Sequence, residues 1–329
     1  MAHDTTMRGA PAAVKPQVRA HADTRPQRVA FALMIAVFAL LPLAVYPVFL
    51  MKVMCFALFA CAFNLLIGFG GLLSFGHAMF LGTAGYASAH AAKVWGFSPE
   101  LAIVFATGCA ALLGLLTGLL AIRRQGIYFA MITLALAQMM FFFYVQAPFT
   151  GGEDGIQAVP RGRLFGLVDL GSAGAMYPLV FVIFVGGFLV IWRAVNSPFG
   201  QVLKAIRENE ARATSLGYDV DRYKLLAYLL SATLSGLAGA TKALVFQLAS
   251  LTDVYWTMSG EVVLMTLLGG MGTLFGPVVG AAIIITMQNY LAQIGAWVTV
   301  VQGAIFVVCV MAFRRGVVGE IAHWLKRPL

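Results

Sequence analysis

Long apolar runs recur along nearly the whole chain. Ten stand out, at 29–50, 53–70, 76–95, 101–122, 127–147, 177–193, 225–247, 254–270, 275–293 and 297–313. An α-helix rises about 1.5 Å per residue, so about 20 apolar residues match a hydrocarbon core roughly 30 Å thick. Stretches such as 179–192 are apolar on every face, which suits a helix enclosed by lipid or by other helices. The strands of a membrane barrel alternate apolar and polar positions instead. Of the 329 residues 61% are apolar and 11% charged, against about 25% charged in a soluble domain. That excludes a water-soluble enzyme and a disordered chain. The expectation is an all-α polytopic membrane protein of about ten transmembrane helices. One transmembrane domain, 29–313, would lie between a disordered basic tail, 1–28, and a short C-terminal tail, 314–329. The run 29–50 is too long for the apolar region of a cleaved signal, so it reads as an uncleaved first span.

Charge orients the spans. The formal net charge is +9 with 22 Lys and Arg, and these residues flank apolar runs. Segments 1–28, 122–126, 193–224 and 314–329 hold 17 of them, and with ten spans all four segments fall on one side. The other side and its span ends keep Lys52, Lys93, Arg161, Arg163 and Lys242. The positive-inside rule puts both termini in the cytoplasm. An eight-span arrangement with two re-entrant segments would do the same; ten is preferred. The basic balance is therefore a topology signal and not a nucleic-acid footprint.

Two Gly-rich segments interrupt the spans. Residues 70–76 (GGLLSFG) resemble 269–276 (GGMGTLFG) in the opposite half of the chain. Corresponding breaks in two halves point to a transport pathway, although glycines also serve close helix packing. Candidate pathway residues are Asn64, Gly70, Gly71, Ser74 and His77 at the first break and Gly269, Gly270 and Thr273 at the second. Asn64, Ser74 and Gln138 could equally serve interhelical hydrogen bonding, which is the more frequent case for such residues. His77 suits either a functional site or a hydrogen bond to a carbonyl freed at the break. Lys93 and Lys242 lie near span ends, where lysines snorkel. Glu261 is expected at the outer interface.

Enzyme signatures are missing. No Lys follows a Gly, so there is no Walker A sequence, and neither GxSxG nor HExxH occurs. The pair Gly68 and Gly70 has Leu73 where a dinucleotide fingerprint needs its third Gly. The five histidines have no metal spacing, and Cys55, Cys61, Cys109 and Cys309 lie inside apolar runs. No catalytic residue, metal or cofactor is expected.

Two loops are long, an outer one at 148–176 and an inner one at 194–224. In the inner loop Ser197-Pro198 reads as N-cap and N1 of a helix over 198–215, and Gly217 stands where a C′ glycine ends it. Val202, Ile206, Ala213 and Leu216 lie along one broad side. Lys204, Arg207, Glu208, Glu210 and Arg212 occupy much of the rest, with Glu208 and Arg212 at i,i+4 spacing. Such a helix can press into a partner's groove or lie flat in headgroups; its mixed charges favour a protein.

These segments together resemble a known family. Residues 64–78 (NLLIGFGGLLSFGHA), 126–135 (GIYFAMITLA), 150–156 (TGGEDGI) and 197–210 (SPFGQVLKAIRENE), followed by Gly217 and the Tyr223-Lys224-Leu225 stretch, are similar to the motifs of high-affinity branched-chain amino acid ABC permeases, of the LivM-like subtype. The resemblance covers about 30–318. It departs from the family in the long basic N-terminal tail and at Arg314-Arg315-Gly316. It implies an ATP-driven importer in the bacterial inner membrane, assembled with a second permease subunit as a heterodimer, two ATPase subunits and a periplasmic solute-binding protein. By the same resemblance the 194–224 loop is the coupling loop that meets the ATPase. It would act through Gly200, Ala205, Ile206, Arg207, Glu208, Glu210 and Gly217, so that replacing Gly200 or Glu208 uncouples hydrolysis from uptake while assembly survives. The outer loop would meet the binding protein. Branched-chain or related small neutral amino acids are the expected cargo, with urea, short amides and small carboxylates as alternatives within the family. An ion-coupled secondary transporter would need more intramembrane carboxylates than are present, and a non-transporting scaffold would not need the breaks.

Overall fold

The computed structural model describes residues 25–291, 297–312 and 316–324. Among these residues ten apolar helices make up the bundle. They are α1 (Arg25–Leu40), α2 (Pro47–Asn64), α3 (His77–Lys93), α4 (Pro99–Ala121), α5 (Ile127–Gln146), α6 (Ala173–Asn196), α9 (Val220–Phe246), α10 (Trp256–Gly269), α11 (Gly276–Leu291) and α12 (Trp297–Ala312). Two short helices, α7 (Pro198–Glu208) and α8 (Glu210–Ser215), join α6 to α9, and α13 (Val317–Trp324) follows α12. Each of the ten runs read from sequence overlaps one of these helices, but the first, 29–50, is not a single span: α1 stops at Leu40, a 3-10 turn takes Leu41–Leu43, and α2 begins at Pro47. Five of the helices, including α2 with its π-helical extension Leu65–Phe69, are long and apolar enough to span a bilayer on length and composition alone.

Several boundaries differ from expectation. Helix α1 begins at Arg25, inside the segment read as tail, while residues 1–24 lie outside the described residues. The C-terminal tail contains α13; Arg314, Arg315, Lys326 and Arg327 fall outside the description.

Helices α2, α3 and α9 form the centre, and α2 is buried over almost its whole length. It is apolar all round, so it can be enclosed by protein, whereas α4 and α5 keep Leu112, Leu116, Leu120, Met131 and Phe142 exposed on the surface. Lipid tails are as apolar as leucine, so helices in a bilayer gain little from hiding apolar surface and associate through close packing. Small residues supply it here. A Cβ on Gly239 of α9 would run into the backbone of Leu81 on α3, one on Gly236 into Ala110 of α4, and one on Gly114 of α4 would lie 2.5 Å from Ala232.

The chain ends of the helices sort onto two faces. At one face the outer loop is ordered. Strand β1 (Ile156–Gln157) pairs antiparallel with β4 (Leu248–Ala249), and β2 (Arg163–Leu164) with β3 (Val168–Asp169). Lys93 Nζ donates to Gln157 O at 2.7 Å, and Arg161 reaches Val245 O at 2.7 Å and Gly171 O at 3.0 Å. In the 150–156 motif Thr150 is buried and donates to Tyr144 O and Ala147 O, both at 2.6 Å. Gly155 has φ 68°, and a Cβ there would strike Ala249 O. At the opposite face Gln125 Nε2 donates to Glu210 Oε1 at 2.7 Å, which joins the 122–126 turn to α8.

The packing generates a prediction. Gly239→Leu forces α3 and α9 apart, and overpacking of this kind costs at least about 1–3 kcal/mol. The melting temperature of the detergent-solubilised protein falls or no folded protein is recovered. Gly186→Ala, on α6 where a Cβ meets nothing within 4 Å, leaves melting unchanged or slightly raised.

Candidate functional site

The two Gly-rich breaks lie against each other. Helix α2 ends in a π-helical turn, Leu65–Phe69, and the chain then runs without helix to Gly76. The second break, between Gly269 and Gly276, packs on it: a Cβ on Gly68 would fall 2.7 Å from Gly272 N. Gly71, Gly270 and Gly272 have φ of 71°, 121° and 76°, conformations that glycine adopts without strain.

Such a junction frees backbone groups from helical pairing, and those away from water must find other partners. Asn64 supplies two. Its Nδ2 donates to Thr273 O at 2.8 Å and its Oδ1 accepts from Gly272 N at 3.0 Å. Thr133 Oγ1 of α5 accepts from Phe75 N at 3.2 Å, Ser74 Oγ from Gly76 N at 3.2 Å, and Ser259 Oγ of α10 from Ala78 N at 2.9 Å. Thr273 Oγ1 donates to Gly270 O at 2.8 Å and accepts from Gly276 N at 3.1 Å. The Gly68 carbonyl accepts from Arg207 Nη1 of α7.

His77 is fully buried at the start of α3. Its Nε2 lies 2.8 Å from Ser231 Oγ, which donates to Ala62 O at 2.5 Å. Because the Ser231 proton goes to the carbonyl, the histidine proton sits on Nε2. Phe63, Phe80 and Tyr228 surround the ring edge-to-face. Asn64 and His77 Nε2 reach other elements, Ser74 Oγ accepts locally from Gly76 N, and His77 Nδ1 has no partner among the described residues; Gly70, Gly269 and Gly270 are buried. Thr273 is half-buried and Gly71 exposed. Gly71, Leu72 and Phe75 open onto a cleft of about 430 Å³ closed by Ile127, Phe129 and Met131 of α5.

The inner loop also departs from the expected single helix. Asn209 is extended (φ −161°, ψ 101°), which ends α7; its side chain accepts from Arg212 N at 2.9 Å and caps α8. The kink removes the Glu208–Arg212 spacing. Glu210 pairs with Lys224 at 2.7 Å. Ser197 does not cap α7: its hydroxyl donates to Ala194 O at 2.7 Å, back onto α6. Pro198 occupies the first turn of α7 as expected. Gly217 (φ 87°) closes α8 with a Schellman pattern, Tyr218 N to Ala213 O and Gly217 N to Thr214 O.

Two faces of α7 result. Ile206 packs with Ala213 and Val220 in a small separate core, with Val202 and Tyr223 at its edge, whereas Leu216 is 70% exposed and lies outside it. Leu203 is buried, Lys204 Nζ lies 5.4 Å from the Phe69 ring centre, and the Arg207 stem covers Gly71. Burial lowers the pKa of Lys204 from its ordinary value. Gln201, Ala205 and Glu208 are exposed at positions that share one side of a helix, and Arg207 is exposed beside them. Gly200 is buried in the α6–α7 corner, where a Cβ would strike the Val195 carbonyl. A side chain at Gly200 would therefore displace that carbonyl.

Sequence reasoning passed over Thr133, Ser231 and Ser259 as partners of the first break. Each is a small hydroxyl residue within an apolar helix, and that signal pointed to hydrogen bonding but not to a partner. Lys242 is not snorkelling: it forms an ion pair with Asp253. Among the described residues no three of His, Cys, Asp and Glu come together as a metal site.

The Asn64 clasp carries a prediction. Asn64→Leu strands the Gly272 N–H and the Thr273 carbonyl, and a buried unpaired group costs about 1–3 kcal/mol. The solubilised protein melts at a clearly lower temperature, whereas Ser88→Ala, which removes a buried hydroxyl without a partner among the described residues, does not lower it.

Comparison with known proteins follows the same lines. Residues 47–310 match the family described as branched-chain amino acid transport system, permease component. The chain is 25% identical over 296 residues to the high-affinity branched-chain amino acid transport system permease protein LivM of Escherichia coli, covering 83% of this chain and 70% of that protein. It is 29% identical over 174 residues to the ribose import permease protein RbsC of Bacillus subtilis, covering 50% and 51%. No solved structure shows significant similarity. With most of its length matched and ten apolar helices built around paired breaks, the chain belongs to the branched-chain amino acid transport permease family and is a multi-pass membrane permease component of an ABC transporter.

Proposed function

We propose that this chain forms one half of the passage of an importer for branched-chain or related small neutral amino acids, driven by ATPase subunits that are separate chains. The observation that carries the reading is the attachment of α7 to both breaks. Arg207 holds the Gly68 carbonyl, its stem covers Gly71 and its Nη1 lies beside Gly272, while Asn64 ties the first break to the second. A displacement of α7 therefore moves the segments that interrupt α2 and α10. The cleft beside Gly71, walled by Leu, Phe and Met side chains, suits a solute with a small apolar side chain.

In this reading the exposed stripe of Gln201, Ala205 and Glu208 seats an ATPase subunit, with Arg212 beside it on α8. The α7 face is cytoplasmic, as its basic content requires, and both termini share that side. A second permease subunit completes the passage, and a solute-binding protein delivers cargo to the ordered outer loop. Ile206, Glu210 and Gly217 hold the shape of the coupling segment and do not touch the ATPase.

Reconstitution with the ATPase and permease partners tests it. Wild-type complex in proteoliposomes accumulates leucine only with ATP and the binding protein. Ala205→Trp obstructs the seat, so co-purification with the ATPase is lost. Arg207→Met keeps the aliphatic stem but frees the Gly68 carbonyl. Co-purification persists and uptake falls at least about tenfold, the equivalent of roughly 1.4 kcal/mol. Uptake by Arg207→Met at the wild-type rate contradicts the coupling route. Concentrative uptake by this chain alone under an ion gradient contradicts the whole reading.

A further inference from the structure

Gln138 takes no part in the paired breaks. It lies on α5, about 12 Å along the axis from the end of that helix at Gln146. It is half-buried, and among the described residues its amide has no hydrogen-bond partner. Polar side chains within spans are costly against lipid and face a bundle interior or a water-filled cavity instead.

Gln138 lines such a space. A cleft of about 510 Å³ has Gln138 and Phe141 of α5 on one wall and Thr252, Tyr255 and Thr257, from the turn before α10 and its first residues, on the other. The rings of Phe141 and Tyr255 join the two walls, with centres 5.0 Å apart. Among the described residues the hydroxyls of Tyr255 and Thr257 have no partner either, and that of Thr252 lies 3.0 Å from its neighbour Ser250 Oγ. The turn that presents them is fixed from behind. Lys242 pairs with Asp253, a Cβ on Gly82 of α3 would collide with Val254, and the turn follows β4, which pairs with β1 of the ordered loop.

The cleft also has a place in the route. Ile127, Met131 and Leu134 wall the cleft beside Gly71, and Gln138 and Phe141 wall this one. These positions are alternately four and three residues apart, so all five share one face of α5. From Ile127 to Phe141 that face runs about 21 Å along the helix axis. It leads from the first break to the end of the bundle that carries the ordered loop. Its wall is apolar beside the break and gains an amide and hydroxyls only at the far end.

The volume falls within the range of small-ligand sites, about 300–1,000 Å³. Amides and hydroxyls each offer both a donor and an acceptor, so they can serve the carboxylate and the ammonium of one solute. Among the described residues no charged side chain lines the cleft, and a solute with net charge would lose its hydration there without gaining a counter-charge. Phe142 and Leu251 leave an apolar wall for a small side chain.

We propose that Gln138, Thr252, Tyr255 and Thr257 form a binding station for a net-neutral α-amino acid, from which the cargo follows the α5 face to the first break. This rests on the amino acid importer reading and adds a site within the membrane chain itself.

The test uses the importer assembled with its partner permease and ATPases in proteoliposomes, on a background without the native cysteines. Thr257→Cys and Gln138→Cys report from the cleft, and Met139→Cys from the exposed side of α5 beside it. A membrane-impermeant methanethiosulfonate, added on the side of the ordered loop, modifies both cleft variants and leaves Met139→Cys intact. Millimolar leucine slows modification of Thr257→Cys at least about threefold, the occupancy factor at twice the dissociation constant. Lysine and aspartate at the same concentration do not. Adding Gln138→Leu to Thr257→Cys abolishes the protection, whereas a glutamine that merely joined helices would leave it unchanged. If neither cleft variant reacts, a helix of the partner permease covers the face and the station is overturned. Reaction at Met139→Cys as fast as in the cleft, reaction without protection by leucine, equal protection by lysine and aspartate, or protection that survives Gln138→Leu overturns it as well. ATP-driven leucine uptake by the wild-type importer with its binding protein is measured alongside. Uptake without protection removes the station alone. Absent uptake removes the importer reading and the station with it.

Discussion

Interrupting a helix inside a bilayer leaves peptide groups that neither water nor lipid can satisfy, and in this protein that constraint organises the bundle. Two interruptions would require two sets of partners if they stood apart. Placed against each other, they share one set. The Asn64 amide serves Gly272 and Thr273 with its two ends, and the partners of the first break arrive from α5, α7 and α10 through Thr133, Arg207 and Ser259. A hydrogen bond lost in such a place costs more than one at a surface, because the stranded group has no solvent to fall back on. The positions of four helices and of the α7 segment are thereby fixed by groups that have no alternative partner.

The remainder of the bundle follows a different rule. Where backbone is regular, association depends on how closely helices approach, and glycine and alanine on α3, α4 and α9 set that distance. Helices α2, α3 and α9 form the centre, while α4 and α5 turn large apolar side chains outward. The ordered outer loop closes one end of this centre through Arg161 and the short β1–β4 pairing. Rigid helices around a junction built from turns, joined to a segment with its own exposed stripe, make a body in which motion applied at α7 reaches the breaks directly.

The ten helices were legible because apolar runs of membrane length have few other solutions, and the breaks because clusters of glycine end helices. The contact between the breaks was not: likeness between two segments says nothing about distance. The stop at Asn209 had a signal in retrospect, since asparagine is a favoured N-cap and Glu210 follows at the positive end of α8, but the apolar periodicity ran on past it. Arg207 was grouped by helical spacing with the outward-facing charges and is exposed; that its guanidinium also reaches the carbonyl freed at Gly68 had no local signal. His77 was open to two readings, and the structure places a serine from α9 between it and the carbonyl, a partner that no local pattern could name.

The central claim is that α7 and the paired breaks move as one body. Spin labels at Ala205 and Met271, both exposed, report it most directly when introduced on a background without the native cysteines and measured in the reconstituted complex with and without trapped ATP. The account predicts that the distance between them within one chain is unchanged, while the distance from Ala205 to the same site in the partner permease shifts. A change of several ångströms within the chain would show that the coupling segment slides over the breaks and that Arg207 does not carry the motion.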